Sequence, residues 1–224
     1  TSNPEVGRLV VEDARKWFNE HPERFSYSLG MDDIQYICGC DECRALDADP
    51  DDYENRESSD RHYWFVNQIA RELAKTHPDK YIGTMAYGRT SEIPETVDKL
   101  EPNVFVNLAQ VAGQWWNTEK RSTDVRRARQ WADFSTNVIT YDYIGLGFLM
   151  PRYFPHLLDD AVKLNASLGF KGGYAETYML WTNVAPMVWA YSKLQWDRTR
   201  DIDRLLDEFM TKFDQATSAG FDPD

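Results

Sequence analysis

Hydrophobic positions along the chain follow two different periods. In six segments apolar residues recur every three or four positions, which predicts helices over residues 3–20, 59–76, 125–134, 156–168, 184–194 and 202–216. Five shorter segments have residue patterns that are typical of strands, and they predict strands over residues 25–31, 81–87, 104–108, 138–143 and 170–176. Because helices separate most of these strands, the chain is predicted to form a parallel α/β sheet or barrel with right-handed crossovers.

The number of predicted strands limits the type of barrel. Five strands do not close a (β/α)8 barrel, which typically takes about 250 residues. The first predicted helix precedes every strand, as expected for a chain that begins partway through a barrel. We therefore expect residues 1–224 to form one domain, a partial (β/α) barrel of TIM type that lacks its first strands. A half-barrel exposes strand edges, so a further chain or segment is expected to complete it.

Composition and charge exclude some partners. With 42% hydrophobic and 14% aromatic residues, the chain has ample material for a packed core. The formal net charge of -12 would repel a phosphate backbone, so no nucleic-acid partner is expected. A basic patch between Lys120 and Arg129 is interpreted as a solvated helix face. No apolar run approaches the roughly 20 residues that span a bilayer, so no membrane span is expected.

Polar and aromatic residues collect where the predicted strands end. In parallel α/β architectures ligands bind at the C-terminal ends of the strands, so these residues form the candidate site. The set comprises Asp32, Asp33, Tyr87, Asn107, Tyr141, Asp142, Tyr143, Tyr174 and Glu176, with Trp115 and Trp116 in a loop beyond a strand. Carboxylates can protonate a glycosidic oxygen, and aromatic rings stack on sugar faces. The set favours a carbohydrate substrate, against the alternative that the acids cap helices or pair with arginine and the aromatics pack in the core.

Asp32, Asp33 and Glu176 are the candidate catalytic residues. If the first strand stays regular to its end, Asp32 and Asp33 point to opposite faces and only one of them reaches the site. Glu176 ends the last predicted strand on the same face as Tyr174, where it suits acid/base chemistry and the binding of sugar hydroxyls equally. A general acid must hold its proton near neutral pH. The adjacent aspartates could supply the required repulsion to each other, whereas Glu176 would need burial.

The three cysteines of the chain, Cys38, Cys40 and Cys43, lie within six residues. This is not a distributed disulfide framework. Three thiolates suit a structural zinc or iron ion, and zinc usually takes a fourth ligand, for which His62 and Asp41 are candidates. A Cys40–Cys43 disulfide and a loop of free thiols remain open, whereas catalytic thiol chemistry is disfavoured because no histidine adjoins the cluster in sequence. No cofactor is expected to be required for catalysis.

Longer motifs point to a known family. The segments SLGMDDIQYICGCDECRAL, SDRHYWFVNQIARELAKTHPDKYIGTMAY, LEPNVFVNL, YDY and LGFKGGYAE occur in this order over nearly the whole chain. As a set they resemble a bacterial domain of unknown function found in glycoside hydrolases, to which the endo-β-N-acetylglucosaminidases of glycoside hydrolase family 163 belong. The resemblance implies a (β/α)8-type catalytic domain, of which this chain supplies roughly strands four to eight, and a secreted or periplasmic location.

The resemblance also implies a substrate class and a mechanism. N-acetylglucosamine-containing glycans would be cleaved with retention, with help from the acetamido group of the substrate. In related barrels an acidic pair ends the fourth strand, where one member orients the acetamide and the other is the general acid/base. Asp32 and Asp33 stand at that place. The family often has Asn-Asp there, so Asp32 departs from its pattern.

The sequence therefore predicts a retaining, substrate-assisted glycoside hydrolase. Two other hypotheses remain open. One is a non-catalytic carbohydrate-binding or degenerate hydrolase-like module, because the first strands are expected to be missing. The other is a structural domain stabilised by a metal at the cysteine cluster.

Overall fold

The structure is a computed structural model that describes residues 2–31, 33, 37–51, 58–145, 152–177 and 181–219, with the backbone alone at 181–183 and 216–219. The strands of the described part are β1 (Ser26–Ser28), β2 (Tyr81–Ala86), β3 (Val104–Gln110), β4 (Val138–Tyr143) and β5 (Gly173–Glu176). The helices are α1 (Pro4–Glu20), α2 (Asp41–Arg44), α3 (Ser59–Ala74), α4 (Thr118–Phe134), α5 (Pro155–Ser167), α6 (Trp181–Trp196) and α7 (Ile202–Ala219).

The strands form one sheet in the order β1-β2-β3-β4-β5. The pairs β1–β2, β2–β3 and β4–β5 are parallel, and α-helices stand between consecutive strands except between β2 and β3, which a loop with a short 3-10 turn at Gly88–Thr90 connects. The prediction of an α/β fold with five parallel strands is therefore confirmed. Its extension to a partial barrel of TIM type stays a prediction.

Local residues determine where the first helix, α1, begins and which of its faces is buried. Asn3 accepts a hydrogen bond from the Glu5 backbone N–H at 2.9 Å, and Pro4 begins the helix, where its missing N–H costs nothing. Val11, Ala14 and Phe18 then recur at helical spacing and are buried. The predicted helix over residues 3–20 is confirmed because a capping residue, a starting proline and an apolar stripe all agree.

By its contacts the chain divides into two compact units. The first unit consists of Thr1–Ala109 and Arg126–Ile139, and the second of Gln110–Val125 and Thr140–Asp224. In the first unit α3 packs against α1 and β2. Tyr63 of α3 and Trp131 of α4 are fully buried there, with ring centroids 5.0 Å apart in an edge contact. These two rings form the aromatic centre of the core of that unit.

The core of the second unit lies among α5, α6 and α7. Its large members include Leu158, Met187, Leu194 and Leu205, with at most 1% of each residue exposed. Trp115 also belongs to this core. Most of the stability of these helices is expected to come from this shared apolar surface.

Some element bounds differ from the sequence prediction. β1 covers three residues instead of the seven predicted over 25–31, and β5 begins at Gly173 instead of residue 170. α4 begins at Thr118, seven residues before the predicted start at 125. Its first half is too polar to show an apolar period, but Asn117 accepts hydrogen bonds from the N–H groups of Glu119 and Lys120 and so caps it.

The basic patch on α4 is largely paired with acids. In the first unit Arg126 and Arg127 both bind Glu92, with N–O distances of 2.9 and 2.7 Å. In the second unit Arg121 binds Asp160 at 3.0 Å. These ion pairs hold three arginines of the patch against acids of the same unit. Among the described helices none combines the length and the apolar character needed to cross a bilayer.

Gly173 provides a test of the packing behind β5. A Cβ atom at this position would lie 2.1 Å from the Tyr191 hydroxyl and 2.7 Å from Thr140 Oγ1. We expect Gly173→Ala to lower the free energy of unfolding by about 1–3 kcal/mol, because a packed site must move to admit the methyl group. Chemical denaturation measures the change.

Gly83, in the interior of β2, is the matched control. A Cβ atom there meets only the Tyr27 carbonyl oxygen, at an ordinary 3.7 Å. Gly83→Ala should leave the stability unchanged or raise it by up to about 1 kcal/mol. Equal losses in the two variants would contradict the steric explanation.

Candidate functional site

The parallel register of β4 and β5 brings four predicted site residues together in the second unit. Tyr141 pairs with Tyr174 and Tyr143 pairs with Glu176. Because side chains alternate between the two faces of a strand, these four lie on one face of the sheet. The sequence predicted each of them from its place at a strand end, and the register explains why they meet.

A hydrogen bond and two ring contacts connect this group. The Tyr141 hydroxyl donates to Glu176 Oε2 at 2.5 Å. The Tyr141 ring stacks on that of Tyr174 with centroids 4.8 Å apart, and Tyr143 meets it edge-on at 5.3 Å. Burial, together with the bond to Glu176, raises the pKa of Tyr141, so its hydroxyl stays protonated and remains a donor. We call Tyr141, Tyr143, Tyr174 and Glu176 the tyrosine–glutamate cluster.

The cluster is open to a ligand on one side. Tyr174 is 52% exposed, whereas Tyr141, Tyr143 and Glu176 are half-buried. An exposed aromatic ring beside an anchored carboxylate offers one apolar surface and one strong hydrogen-bond acceptor. A sugar ring can stack its C–H face on such an aromatic ring and donate hydrogen bonds from its hydroxyls to such a carboxylate.

Asp142 lies on the opposite face of β4 from the cluster. It is only 3% exposed, and its carboxylate accepts hydrogen bonds from the N–H of Tyr143 at 2.7 Å and of Ala112 at 3.3 Å. Burial raises the pKa of Asp142 to about 7, against the lowering effect of these two N–H groups. The residue was predicted to line the sugar site, and the structure places it on the helix-covered side, where it ties β4 to the loop that begins at Ala112.

That loop carries the two adjacent tryptophans, which have different surroundings. Trp115 is 3% exposed, belongs to the core, and donates its indole N–H to Asp124 Oδ2 at 2.8 Å. Trp116 is 73% exposed. Of the pair, Trp116 is thus the one whose ring a ligand can reach, while Trp115 anchors the loop.

The predicted site residues of the first unit are more dispersed. Asp33 is exposed and lies five residues beyond the end of β1 at Ser28, so strand alternation does not determine its direction. Asp32 lies outside the described residues. Tyr87 follows β2 directly and is 43% exposed. Asn107 donates its side-chain N–H to the Thr84 carbonyl at 3.1 Å, which links β3 to β2.

The cysteine cluster is a second group of reactive side chains in the first unit. The sulfur atoms of Cys38, Cys40 and Cys43 all lie within 4.8 Å of one another, a spacing that could bind a metal ion. All three are free cysteines, and only Cys43 is buried. Burial raises the pKa of Cys43, but hydrogen bonds from Ser2, Cys40 and Cys38 outweigh it and lower the pKa to about 6.

Buried charged residues at the start of α3 hold the segment around the cysteines. Arg61 binds both carboxylate oxygens of Asp47, and both side chains are buried. Arg61 also donates to the Cys38 carbonyl at 2.6 Å. Asp60 accepts from the N–H groups of Ala48 at 2.9 Å and Glu95 at 2.6 Å. We did not predict these residues, because the partners are distant in sequence and nothing local marks them.

His62 was a predicted fourth ligand and has another partner. Its Nε2 lies 2.8 Å from Thr84 Oγ1, and burial lowers the pKa of His62 to about 4. Among the described residues the metal-compatible group contains the three cysteines without it. His62 and Cys38 do line a common cavity of about 270 Å³, together with Leu29 and Met31 at the end of β1.

These observations define the class of protein, an α/β protein with a parallel five-stranded sheet and a tyrosine–glutamate cluster at the C-terminal ends of two strands. The chain belongs to the family described as Domain of unknown function (DUF4838), whose model matches residues 1–221. No curated protein and no solved structure matches the chain significantly. The resemblance is confirmed as far as a domain of unknown function, and glycoside hydrolase family 163 stays a prediction.

Asp142 should make the stability depend on pH. Since its pKa is raised to about 7, the native state holds a proton that the unfolded chain releases above its ordinary pKa near 4. The contribution is therefore complete at low pH and lost as the pH rises through about 7, at about 1.4 kcal/mol per pH unit. Asp142→Asn keeps the oxygen acceptor and removes the charge. Relative to wild type, its free energy of unfolding should rise by about 2 kcal/mol between about pH 5.5 and 7.5.

Denaturant titrations at several pH values measure this difference. The matched control is Asp207→Asn, which changes an exposed aspartate on α7 of the same unit. The control should follow the wild-type pH dependence. If Asp142→Asn follows it as well, the burial of a protonated Asp142 is refuted.

Proposed function

We propose that the chain is a glycoside hydrolase domain, part of a (β/α)8 barrel of TIM type, that cleaves N-acetylglucosamine-containing glycans. Cleavage would proceed with retention of configuration and with help from the acetamido group of the substrate. The observation that carries the proposal is the tyrosine–glutamate cluster, which combines an anchored carboxylate with an exposed aromatic ring. The motif resemblance supplies the substrate class and the secreted or periplasmic location.

Glu176 is best suited to bind sugar hydroxyls and to stabilise positive charge. Its Oε2 already accepts a hydrogen bond from the Tyr141 hydroxyl. A carboxylate held in this way is a fixed acceptor for a second donor. An oxocarbenium-like transition state also gains from a nearby negative charge. The phenol of Tyr141 sets the direction of the carboxylate, and the Tyr174 ring provides a stacking surface beside it.

Asp33 is the proposed general acid/base. The motif resemblance gives the acidic pair one member that orients the acetamide and one general acid/base, and we assign the second role to Asp33. Asp33 is exposed in the described structure, so a bound glycan could reach it. Asp32 is assigned to orientation of the acetamide on the same grounds. No cofactor is assigned to catalysis, and zinc or iron at the cysteine cluster would be structural.

Replacing Asp33 by Asn tests the acid/base role. We expect kcat for release of an N-glycan to fall by about 10²–10⁴-fold, because proton transfer contributes on that order. The dependence of the rate on the leaving group should steepen, since a phenol with a low pKa needs little protonation. Hydrolysis of aryl N-acetylglucosaminides with different phenols measures this. A variant with wild-type kcat on the glycan would remove Asp33 from the mechanism.

Replacing Glu176 by Gln tests the binding role separately. Glutamine keeps the size and one acceptor oxygen but loses the charge, so kcat/KM should fall by about 10–100-fold. Glu119→Gln, an exposed change at the start of α4, is the matched control and should have no effect. Full activity of Glu176→Gln would contradict the proposal.

A non-catalytic carbohydrate-binding module is the second candidate function. The exposed rings of Trp116 and Tyr174 favour it, because binding modules hold sugars mainly by stacking. Calorimetric titration of the wild-type chain with an N-glycan core separates the two functions when it is combined with a hydrolysis assay. Binding without turnover would support the module and overturn the enzyme.

A further inference from the structure

The thiol spacing at the cysteine cluster matches the coordination sphere of a tetrahedral ion. Zinc binds thiolate sulfur at about 2.3 Å, which places neighbouring sulfur atoms about 3.8 Å apart. The Cys38 and Cys40 sulfur atoms are 3.4 Å apart, and no pair within the group exceeds 4.8 Å. Shifts of a few tenths of an ångström to about 1 Å would bring all three sulfur atoms to bonding distance from one ion.

The surroundings of the sulfur atoms resemble those of bound thiolates. The Ser2 hydroxyl lies 3.1 Å from the Cys43 sulfur. A hydroxyl in this position can donate to a bound thiolate, and such outer donors orient metal ligands and stabilise their negative charge. The backbone N–H of Cys43 donates to the Cys40 carbonyl at 3.1 Å and closes the turn between these two cysteines. The loop is therefore arranged around its sulfur atoms.

The segment is also held from outside. Arg61 binds the Cys38 carbonyl and, through Asp47, the chain just after α2. Arg44 of α2 donates to the Pro50 carbonyl at 2.7 Å. A site whose backbone is fixed in this way loses less entropy when an ion binds. The thiols of Cys38 and Cys40 remain exposed, so an ion can enter and solvent can reach it.

The number of thiols decides which ion fits. Iron–sulfur clusters usually take four cysteine ligands, and the chain has three in all. Zinc accepts three protein ligands with water in the fourth position. His62 is engaged with Thr84, and within the part of the chain that the structure describes the group contains only the three cysteines, so we assign the fourth position to water. Soft thiolates disfavour magnesium and calcium.

We propose that Cys38, Cys40 and Cys43 bind one Zn²⁺ as thiolates, with water as the fourth ligand, and that the ion fixes the segment between β1 and α3. The inference concerns the stability of this segment and stands apart from the proposed glycosidase activity.

Metal content and cobalt spectroscopy test the proposal directly. The intact chain, purified under reducing conditions and loaded with Zn²⁺, should contain one zinc per chain by elemental and native mass spectrometry. Co²⁺ alone, added to the metal-free chain, should give sulfur-to-cobalt charge transfer and the strong visible bands of a tetrahedral site. Absence of stoichiometric zinc together with absence of these bands would overturn the proposal, and so would stoichiometric copper or iron in place of zinc.

Two exposed positions provide the variants. Cys40→Ser should lower the zinc affinity by at least about 100-fold, because loss of a direct ligand exceeds the 10–100-fold cost of losing an outer partner. Asp41→Asn is the matched control; it removes the adjacent, exposed alternative ligand and should keep the wild-type affinity within about threefold. Circular dichroism verifies that both fold. Unchanged affinity in Cys40→Ser, or a Cys40–Cys43 disulfide in peptide mapping of the loaded chain, would refute the site.

Limited proteolysis tests the structural effect of the ion. Removal of zinc with a chelator should increase tryptic cleavage after Arg44 several-fold, because the segment opens more often. Cleavage after the exposed Arg24 is the internal reference and should not change. Equal cleavage after Arg44 with and without zinc would contradict the proposed fixing of the segment.

Discussion

The parallel pairing of β4 with β5 is the constraint on which the candidate site depends. Pairing fixes the register, and the register sorts side chains onto two faces. Tyr141, Tyr143, Tyr174 and Glu176 share one face, while Asp142 and Ala175 share the other, where Ala175 packs against the core of the second unit. A shift of one residue would exchange the two sets, bury Glu176 and expose Asp142. The chemistry of the site is therefore inseparable from the hydrogen bonds of the sheet.

Buried polar groups have a similar role in the first unit. The first turn of α3 is polar yet buried, and its residues each bind a segment that is distant in sequence: Asp60 binds the chain near Ala48 and Glu95, and Arg61 binds Asp47 and the Cys38 carbonyl. Breaking a buried ion pair leaves an uncompensated charge, which usually costs several kcal/mol. These bonds restrict the path of the chain around the cysteines.

Local signals in the sequence predicted most elements. Asn3 and Pro4 marked the start of α1, and the β-branched and aromatic run VITYDY predicted β4 with its correct bounds. The alternation of Phe25 to Met31 was misleading, because β1 pairs with β2 over only three residues and the apolar side chains beyond Ser28 line a cavity instead. The polar first half of α4 had no apolar period to detect.

Local signals in the sequence also predicted part of the candidate site. Strand ends identified the tyrosines and Glu176, because topology alone brings parallel strand ends together. Sequence could not tell Trp115 from Trp116, since adjacent identical residues differ only in their tertiary surroundings. The sequence also could not predict the ion pair between Asp47 and Arg61, because a pair between residues distant in sequence produces no periodic pattern. Asp142 was identified as important, but only the fold shows that it lies behind the site.

The close approach of the Tyr191 hydroxyl to Gly173 limits which residues homologues can have at these two positions. Gly173 leaves no room for a Cβ atom because the Tyr191 hydroxyl occupies that space, and this hydroxyl lies 3.4 Å from the Tyr174 carbonyl. A relative with a larger residue at 173 can keep the strand in place only if the side chains at positions 191 and 140, whose oxygens lie nearest, change or move. Position 173 on β5 and position 191 on α6 are therefore expected to covary among homologues, and an aligned set of sequences would show this covariation.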